Sequence, residues 1–158
     1  MAKKLSDIFN NLTEKQMLIA FGSEMADRII ERTQNGKDVR GRKFKAYSKK
    51  YFEAKRNGEF VRQASQFRPS SRKDVNLTLT TDMLNSLKVK RVSKKKVTIG
   101  MPPQEAVKAN SNERLGRAIS TTKRPISKDD EKFVAKFFDK RIVSAMNENS
   151  GTVSITIG

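Results

Sequence analysis

The stretch 75–101 constrains the fold of this chain more than any other. Within 75–80, apolar residues alternate with polar ones, which is the period-two pattern of a strand with one buried face. The alternation returns at 87–89 and again at 97–101, and 82–87 between the first two runs has the pattern of a short helix. The stretch therefore predicts strand, short helix, strand, turn and strand, and the rest of the chain must cover its apolar face.

A long helix is predicted before this stretch, at about 13–33. Thr13 with Gln16 three residues later forms a capping box, in which each side chain satisfies a backbone N–H at the helix start. Gly22 lies inside this helix at a cost of roughly 1 kcal/mol relative to alanine, so we expect a close packing contact against it. A single apolar stripe at spacings of three and four runs through Leu18, Phe21, Met25 and Ile29.

A second long helix is predicted after the stretch, at about 128–147. Ser127 is its cap, and three acids follow in the first turn, where the helix dipole stabilises them. This explanation is favoured over a catalytic or metal-binding acidic cluster. The apolar stripe of this helix is Val134, Phe138, Ile142 and Met146, flanked by Phe133 and Phe137. Beyond the helix, 152–157 alternates like a strand, which can add to the sheet or to a neighbouring subunit.

These elements predict one domain over residues 1–158. The fold class is α+β, with a small, mainly antiparallel β-sheet packed against two long amphipathic helices. A long basic loop or arm is expected at 36–74. Inside it, Ser48 can cap a short helix that ends at Gly58, and 58–74 has the composition of an extended or mobile arm. A weak helix is predicted at 105–116.

Composition excludes several kinds of site. The chain has no cysteine and no histidine, so disulfides, thiolate zinc sites, Ser–His triads and Cys nucleophiles are ruled out. Only carboxylate, lysine or tyrosine chemistry is left, and no spaced carboxylate set stands out. The sequence predicts no catalytic residue, no cofactor and no metal site. It also contains no apolar run long enough to cross a bilayer, so a membrane partner is not expected.

The strongest functional signal is charge. The net charge is +17, and the basic segment 36–74 holds thirteen Lys and Arg against four Asp and Glu. Such a field favours nucleic acid or an acidic protein surface. Its aromatic residues Phe44, Tyr47, Tyr51 and Phe52 either stack on bases or anchor the segment on the core, and the anchor interpretation is favoured. The candidate contact residues for a partner are Lys37, Arg40, Arg42, Lys43, Lys45, Lys49, Lys50, Arg62, Arg68, Arg72 and Lys73.

Several short motifs follow one another in a fixed order over roughly residues 14–147. After the first helix comes Gly36-Lys37-Asp38-x-x-Gly41-x-x-Phe44-x-x-Tyr47. It is followed by Leu77-Thr78-Leu79-Thr80-x-Asp82-Met83-Leu84-x-Ser86-Leu87, by Val97-x-Ile99-Gly100, and by Arg124-Pro125 before the last helix. In this order the chain resembles the virion morphogenesis or tail completion proteins of tailed bacteriophages. None of the motifs is a catalytic signature.

The resemblance implies a non-enzymatic structural subunit of the virion neck or tail. Such a subunit forms a ring of about six copies that joins the tail to the DNA-filled head. The implied partners are further copies of the chain, the neighbouring neck, connector and tail proteins, and the DNA in the channel. The implied location is the virion, with assembly in the cytoplasm of the bacterial host. The alternative is a basic nucleic-acid-binding protein that acts through the segment 36–74, and charge alone motivates it.

Overall fold

The structure is a computed structural model that describes residues 14–60, 68–77, 82–93, 96–138 and 154–157. The described residues contain five helices and three strands. The helices are α1 (Glu14–Gln34), α2 (Lys49–Asn57), α3 (Asp82–Asn85), α4 (Pro103–Arg114) and α5 (Lys128–Phe137). The strands are β1 (Lys88–Ser93), β2 (Lys96–Gly100) and β3 (Ser154–Ile157). The α+β class is confirmed.

Helix α1 matches the predicted helix at 13–33. The whole predicted apolar stripe is fully buried, because spacings of three and four place its members on one side of the helix. The helix ends at Gln34, and Gly36 just beyond it has a φ of +72°, which suits glycine. The amides of Gly36 and Lys37 donate to the carbonyls of Thr33 and Arg32. The proposed cap Thr13 lies outside the described residues.

The sheet is built on the predicted hairpin. Strand β1 pairs antiparallel with β2, and a bulge shifts the register between Val89 and Arg91. Strand β3 pairs with β2 in the parallel direction, so β2 is the central strand and one of the two pairings is antiparallel. The strand expected at 152–157 therefore adds to this chain's own sheet. Val97 and Ile99 on β2 are fully buried.

The sheet packs directly on α1 at Gly22. A Cβ atom at this glycine would lie 2.6 Å from Cγ2 of Val97 and 2.7 Å from Cγ2 of Val89. The expected close contact against Gly22 is thus present, and it is made with both strands of the hairpin. The missing side chain is what lets the helix approach the sheet so closely.

The strand predicted at 75–80 is wrong over its described part. Residues 75–77 have no strand pairing, and Leu77 has a φ of +51°, which does not belong to a strand. Val75 and Leu77 are nevertheless buried. The alternation correctly indicated which side chains face the core. Here, however, an irregular backbone rather than a strand places them there. Residues 78–81 lie outside the described residues.

The second half of the chain closes the core. Helix α4 begins at Pro103, whose missing N–H is tolerated in a first helical turn, and it agrees with the helix predicted at 105–116. Helix α5 starts as predicted, with Ser127 in a complete capping box. It ends at Phe137. The sequence predicts that the helix continues to 147, and the part of that prediction from residue 139 on lies outside the described residues.

An aromatic cluster joins α5 to α1. The ring centroid of Phe21 lies 5.0 Å from that of Phe137 and 4.8 Å from that of Phe138, with tilted ring planes. Phe133 lies parallel to Phe21 at 6.1 Å. Tilted and offset contacts at these distances stabilise aromatic pairs. The interpretation of these phenylalanines as core residues is confirmed.

Candidate functional site

Buried apolar side chains attach the basic segment 36–74 to the core. Val39, Phe44 and Tyr47 are buried, which confirms the anchor interpretation for the two aromatic residues among them. Backbone bonds hold the same stretch in place, since the amide of Val39 donates to Ala118 O at 3.0 Å and that of Tyr47 to Arg72 O at 2.9 Å. Residues 68–74 are thus not the extended arm expected at 58–74, because they return to pair with this stretch.

A tight turn organised by Asp38 presents the first basic residues. The Asp38 carboxylate accepts from the amides of Arg40 and Arg42 at 2.9 and 2.8 Å, and it also accepts from the Arg42 guanidinium at 3.0 and 3.1 Å. Gly41 completes the turn with a φ of +76°. Part of the Arg42 charge is therefore neutralised within the turn, whereas Arg40 projects from it exposed.

Helix α2 carries the next basic residues. Its start and end are as predicted, because the Ser48 hydroxyl accepts from the amide of Tyr51 at 3.2 Å and Gly58 takes the left-handed conformation at the end. The first turn holds Lys49 and Lys50 and no acidic residue. Lysines there add to the positive end of the helix dipole, where carboxylates would be favoured. The start of α2 is therefore a strongly positive part of the surface.

The predicted contact residues are all on the surface where the structure describes them. Lys37 and Lys43 face each other across a single antiparallel bridge. The guanidinium of Arg68 lies against Gly58, at the end of α2 opposite to Lys49. The length of the helix, about 13 Å, separates these two ends. Arg62 lies outside the described residues. The ten exposed residues are Lys37, Arg40, Arg42, Lys43, Lys45, Lys49, Lys50, Arg68, Arg72 and Lys73.

Arg117 is a buried cation that sequence reasoning missed. Its Nε donates to Lys45 O at 2.9 Å and its Nη2 to Ala46 O at 3.1 Å, and the guanidinium lies 4.9 Å from the ring centroid of Tyr47. It thus ties the loop after α4 to the basic segment. No local pattern marks Arg117, because its partners are about 70 residues away in the chain.

A cavity of about 570 Å³ lies beside this contact. We call it the Lys55 cavity. The polar part of its lining includes Lys55, Tyr47 and Arg117, and the apolar part includes Tyr51, Val107 and Leu115. The Lys55 ammonium is buried and donates to the Tyr47 hydroxyl and to Asn76 Oδ1, both at 3.1 Å. The basic segment, the stretch 75–77 and helix α4 build the cavity together.

Burial shifts the ionisation of the groups in this cavity. It lowers the pKa of Lys55 to about 8, and the positive charge of Arg117 lowers it further in the same direction. Burial and the neighbouring Tyr51 raise the pKa of Tyr47 to about 12. Lys55 is therefore largely charged at neutral pH although its two hydrogen-bond partners here are neutral.

One of the three acids at the start of α5, Asp130, has a structural role. Asp130 is buried, accepts from the backbone and hydroxyl of Ser127, and binds the guanidinium of Arg32. Arg28 lies 3.6 Å from the same carboxylate. Burial lowers the pKa of Arg32, and Asp130 opposes that change. Asp130 thus locks α5 onto α1, a link that the capping signature did not reveal.

The described residues contain neither a metal-binding cluster nor a membrane-spanning helix. No group of histidine, cysteine, aspartate and glutamate there is arranged to hold a metal ion. In the same part of the chain, the helices are too short or too polar to span a bilayer.

Comparisons with known proteins do not assign the chain to a group. It matches no family model, no curated protein and no solved structure.

Proposed function

We propose that the chain is a non-enzymatic structural subunit of a tailed-bacteriophage virion, at the head–tail connection or tail completion position. Copies would form a ring that joins the tail to the DNA-filled head. The observation that carries the proposal is the position, in the structure, of the residues that form the first motif of the resemblance. Gly36 and Gly41 have φ values of +72° and +76°, and Phe44 and Tyr47 are buried. The motif residues thus determine how the basic segment sits on the core, as a fold-specific motif should.

The edges of the sheet support assembly into a ring. The outer strand β1 exposes Lys88, Lys90 and Arg91, and such charges disfavour uncontrolled strand pairing. Strand β3 forms the opposite edge of the described sheet. A ring requires two different complementary surfaces on each subunit. We propose the β3 edge as one of them, because a neighbouring backbone can hydrogen-bond there without meeting a row of charges.

Electron microscopy tests the ring. The purified full chain, alone and mixed with tails from the phage that encodes it, should give rings of about six copies, and particles should contain the protein by mass spectrometry. A chain that stays monomeric and is missing from purified particles contradicts the proposal. A variant with Ile155→Pro, which removes a backbone donor from β3, should lose ring formation, and circular dichroism checks that it is still folded. The control Ser154→Ala keeps every backbone donor and should still form rings.

Nucleic-acid binding is the second candidate function, and the start of α2 favours it. Lys49 and Lys50 occupy a first turn that electrostatics would fill with acids, so the helix is less stable for having them. An anionic partner offsets this cost. Phosphates of DNA or RNA at the positive end of a helix are such a partner.

The double variant Lys49→Glu with Lys50→Glu separates the effect of these lysines on the stability of α2 from their effect on nucleic-acid binding. It should raise the melting temperature slightly, since each change is worth roughly 0.3–1 kcal/mol at a helix start, and it should weaken binding to a short DNA duplex by about tenfold or more. The matched control is Lys132→Glu with Lys136→Glu on α5, outside the basic segment. Equal loss of binding in both variants would mean that only net charge matters.

A further inference from the structure

Among the described residues, the positive charge in the Lys55 cavity has no acidic partner. Lys55 donates to a phenol and an amide oxygen, and Arg117 donates to two backbone carbonyls, so none of these hydrogen-bond partners carries a negative charge. Lys108, also in the lining, is already paired with Glu105 at 2.7 Å. No aspartate or glutamate is among the described residues that line the cavity. Two neighbouring buried cations of this kind are destabilising unless an anion joins them.

The rim of the cavity is apolar and exposed. Among the described residues, five large hydrophobic side chains are exposed, and three of them, Tyr51, Val107 and Leu115, line this cavity. Val107 is 64% exposed and Leu115 is 55% exposed. A fourth, Phe60, lies 5.4 Å from Tyr51 between ring centroids. Exposed apolar residues gathered at one place mark an interaction site.

We propose that the Lys55 cavity binds a segment of an acidic partner protein, with a carboxylate side chain directed to Lys55 and Arg117 and apolar side chains packed on Val107 and Leu115. The volume lies within the usual range for ligand sites. The aliphatic side chains of Val107 and Leu115 favour a protein segment over a nucleic acid, which offers planar bases and phosphates but few aliphatic groups. A second copy of the chain would bring further positive charge to a cavity that already contains two cations, so an acidic segment is the favoured occupant of this cavity. The inference stands whether or not the chain is a virion protein.

The chain supplies its own probe for this test. It has two tyrosines and no tryptophan, and both tyrosines, Tyr47 and Tyr51, line the cavity. Intrinsic tyrosine emission of the full chain therefore reports on this site. The ligand to be used is a short capped peptide of alternating leucine and glutamate, and its control is the same peptide with glutamine for glutamate. We expect a saturable change in emission with the acidic peptide and at least about tenfold weaker binding of the neutral one.

Substitutions locate the effect. Val107→Ser and Leu115→Ser change exposed side chains, so both variants should fold, and each should weaken binding of the acidic peptide several-fold. Lys55→Met should remove most of the preference for glutamate over glutamine. The matched control is Ile19→Ser, which alters an exposed apolar residue on α1 that is not part of the cavity lining. This control should bind like the unchanged chain.

Three results would overturn the inference. The first is no change in tyrosine emission at any peptide concentration. The second is equal affinity for the acidic and neutral peptides, which would leave no role for the cations. The third is self-association that Val107→Ser abolishes, measured by sedimentation, because a second copy would then occupy the cavity.

Discussion

At the scale of single residues, Gly22 sets the distance between α1 and the hairpin. Gly22→Ala would place a methyl group 2.6 Å from Val97 Cγ2 and 2.7 Å from Val89 Cγ2. Valine has one side-chain torsion, so neither neighbour can move aside freely. Overpacking of this kind destabilises the folded protein by roughly 1–3 kcal/mol. The better helix propensity of alanine stabilises it by up to about 1 kcal/mol. We expect a net loss of about 1 kcal/mol in the free energy of unfolding, measured with urea.

The control for Gly22→Ala is Ser23→Ala, one residue along the same helix. Ser23 is exposed, so alanine there improves helix propensity without meeting the sheet. This variant should be neutral or slightly stabilising. If Gly22→Ala is stabilising by the same amount, the helix and the hairpin are not in the close contact described.

Lys55 gives the stability of the protein a specific pH dependence. Its pKa is about 8 in the folded protein and 10.5 ordinarily, so between these values the unfolded chain binds a proton that the folded chain does not. The free energy of unfolding should therefore rise with pH over this window, by up to about 3 kcal/mol, and the gain is absent below about pH 8. Tyr47, with its pKa raised to about 12, acts in the opposite direction only above about pH 10.

Urea unfolding measured at several pH values, for the chain and for Lys55→Met, isolates this contribution. Lys55→Met removes one titratable group, so the difference between the two curves belongs to Lys55 and the charged or titratable groups that face it, Arg117, Tyr47 and Tyr51. The difference should change between about pH 8 and 10. Parallel curves throughout would show that Lys55 is solvated in the folded protein.

The sequence predicts the close packing contact at Gly22 but not the burial of Lys55. A glycine inside a clear helical stripe is a local signal, and a close contact follows from it. Lys55 looks like any solvated lysine in a basic segment, because what buries it is Tyr47, Asn76 and the loop at Arg117. Those residues meet only after the chain has folded, so local spacing carries no information about them.

At the scale of elements, Asp130 holds α5 on α1. Asp130→Ala removes a capping interaction and leaves the Arg32 guanidinium without its carboxylate at a site where the Arg32 side chain is only 10% exposed. Removing one member of a buried pair typically costs about 3 kcal/mol or more. We expect a loss of that size in urea unfolding.

Asp129→Ala is the matched control for Asp130→Ala. Asp129 is in the same helical turn, but its side chain is 82% exposed and its pairing with Lys132 at 3.6 Å is solvated. Exposed pairs contribute little, so a change below about 1 kcal/mol is expected. Equal losses in the two variants would mean that only the helix dipole is at work and that the bond to Arg32 contributes nothing.

The elements follow from the sequence wherever the signal is local. The stripe of α1, the cap and glycine of α2, the hairpin and the capped start of α5 all depend on residues within a few positions of one another. The stretch 75–77 shows the limit of this reasoning, because buried Val75 and Leu77 alternate as in a strand while the backbone is irregular. Arg117 and the Arg32–Asp130 bond were missed since their partners are distant in sequence.

At the scale of the whole molecule, charge is the property that distinguishes the two proposed functions. The described fold concentrates exposed cations on the basic segment and leaves an apolar rim around the Lys55 cavity. A net charge of +17 makes copies of the chain repel one another at low salt. The same charge attracts nucleic acid most strongly under that condition. The two functions therefore respond to salt in opposite directions.

Sedimentation of the full chain across salt concentrations is the last test. If the chain is a ring subunit, association should increase between about 0.05 and 0.5 M salt, because the screening length falls from roughly 14 to 4 Å and repulsion between subunits weakens. If it acts by binding nucleic acid, affinity for a short DNA duplex should fall by orders of magnitude over the same range. Association that weakens as salt is added contradicts a ring held together by apolar and backbone contacts. Salt weakens the charge repulsion that opposes such a ring, so its association should increase. Only a ring held by attraction between opposite charges should dissociate as salt is added.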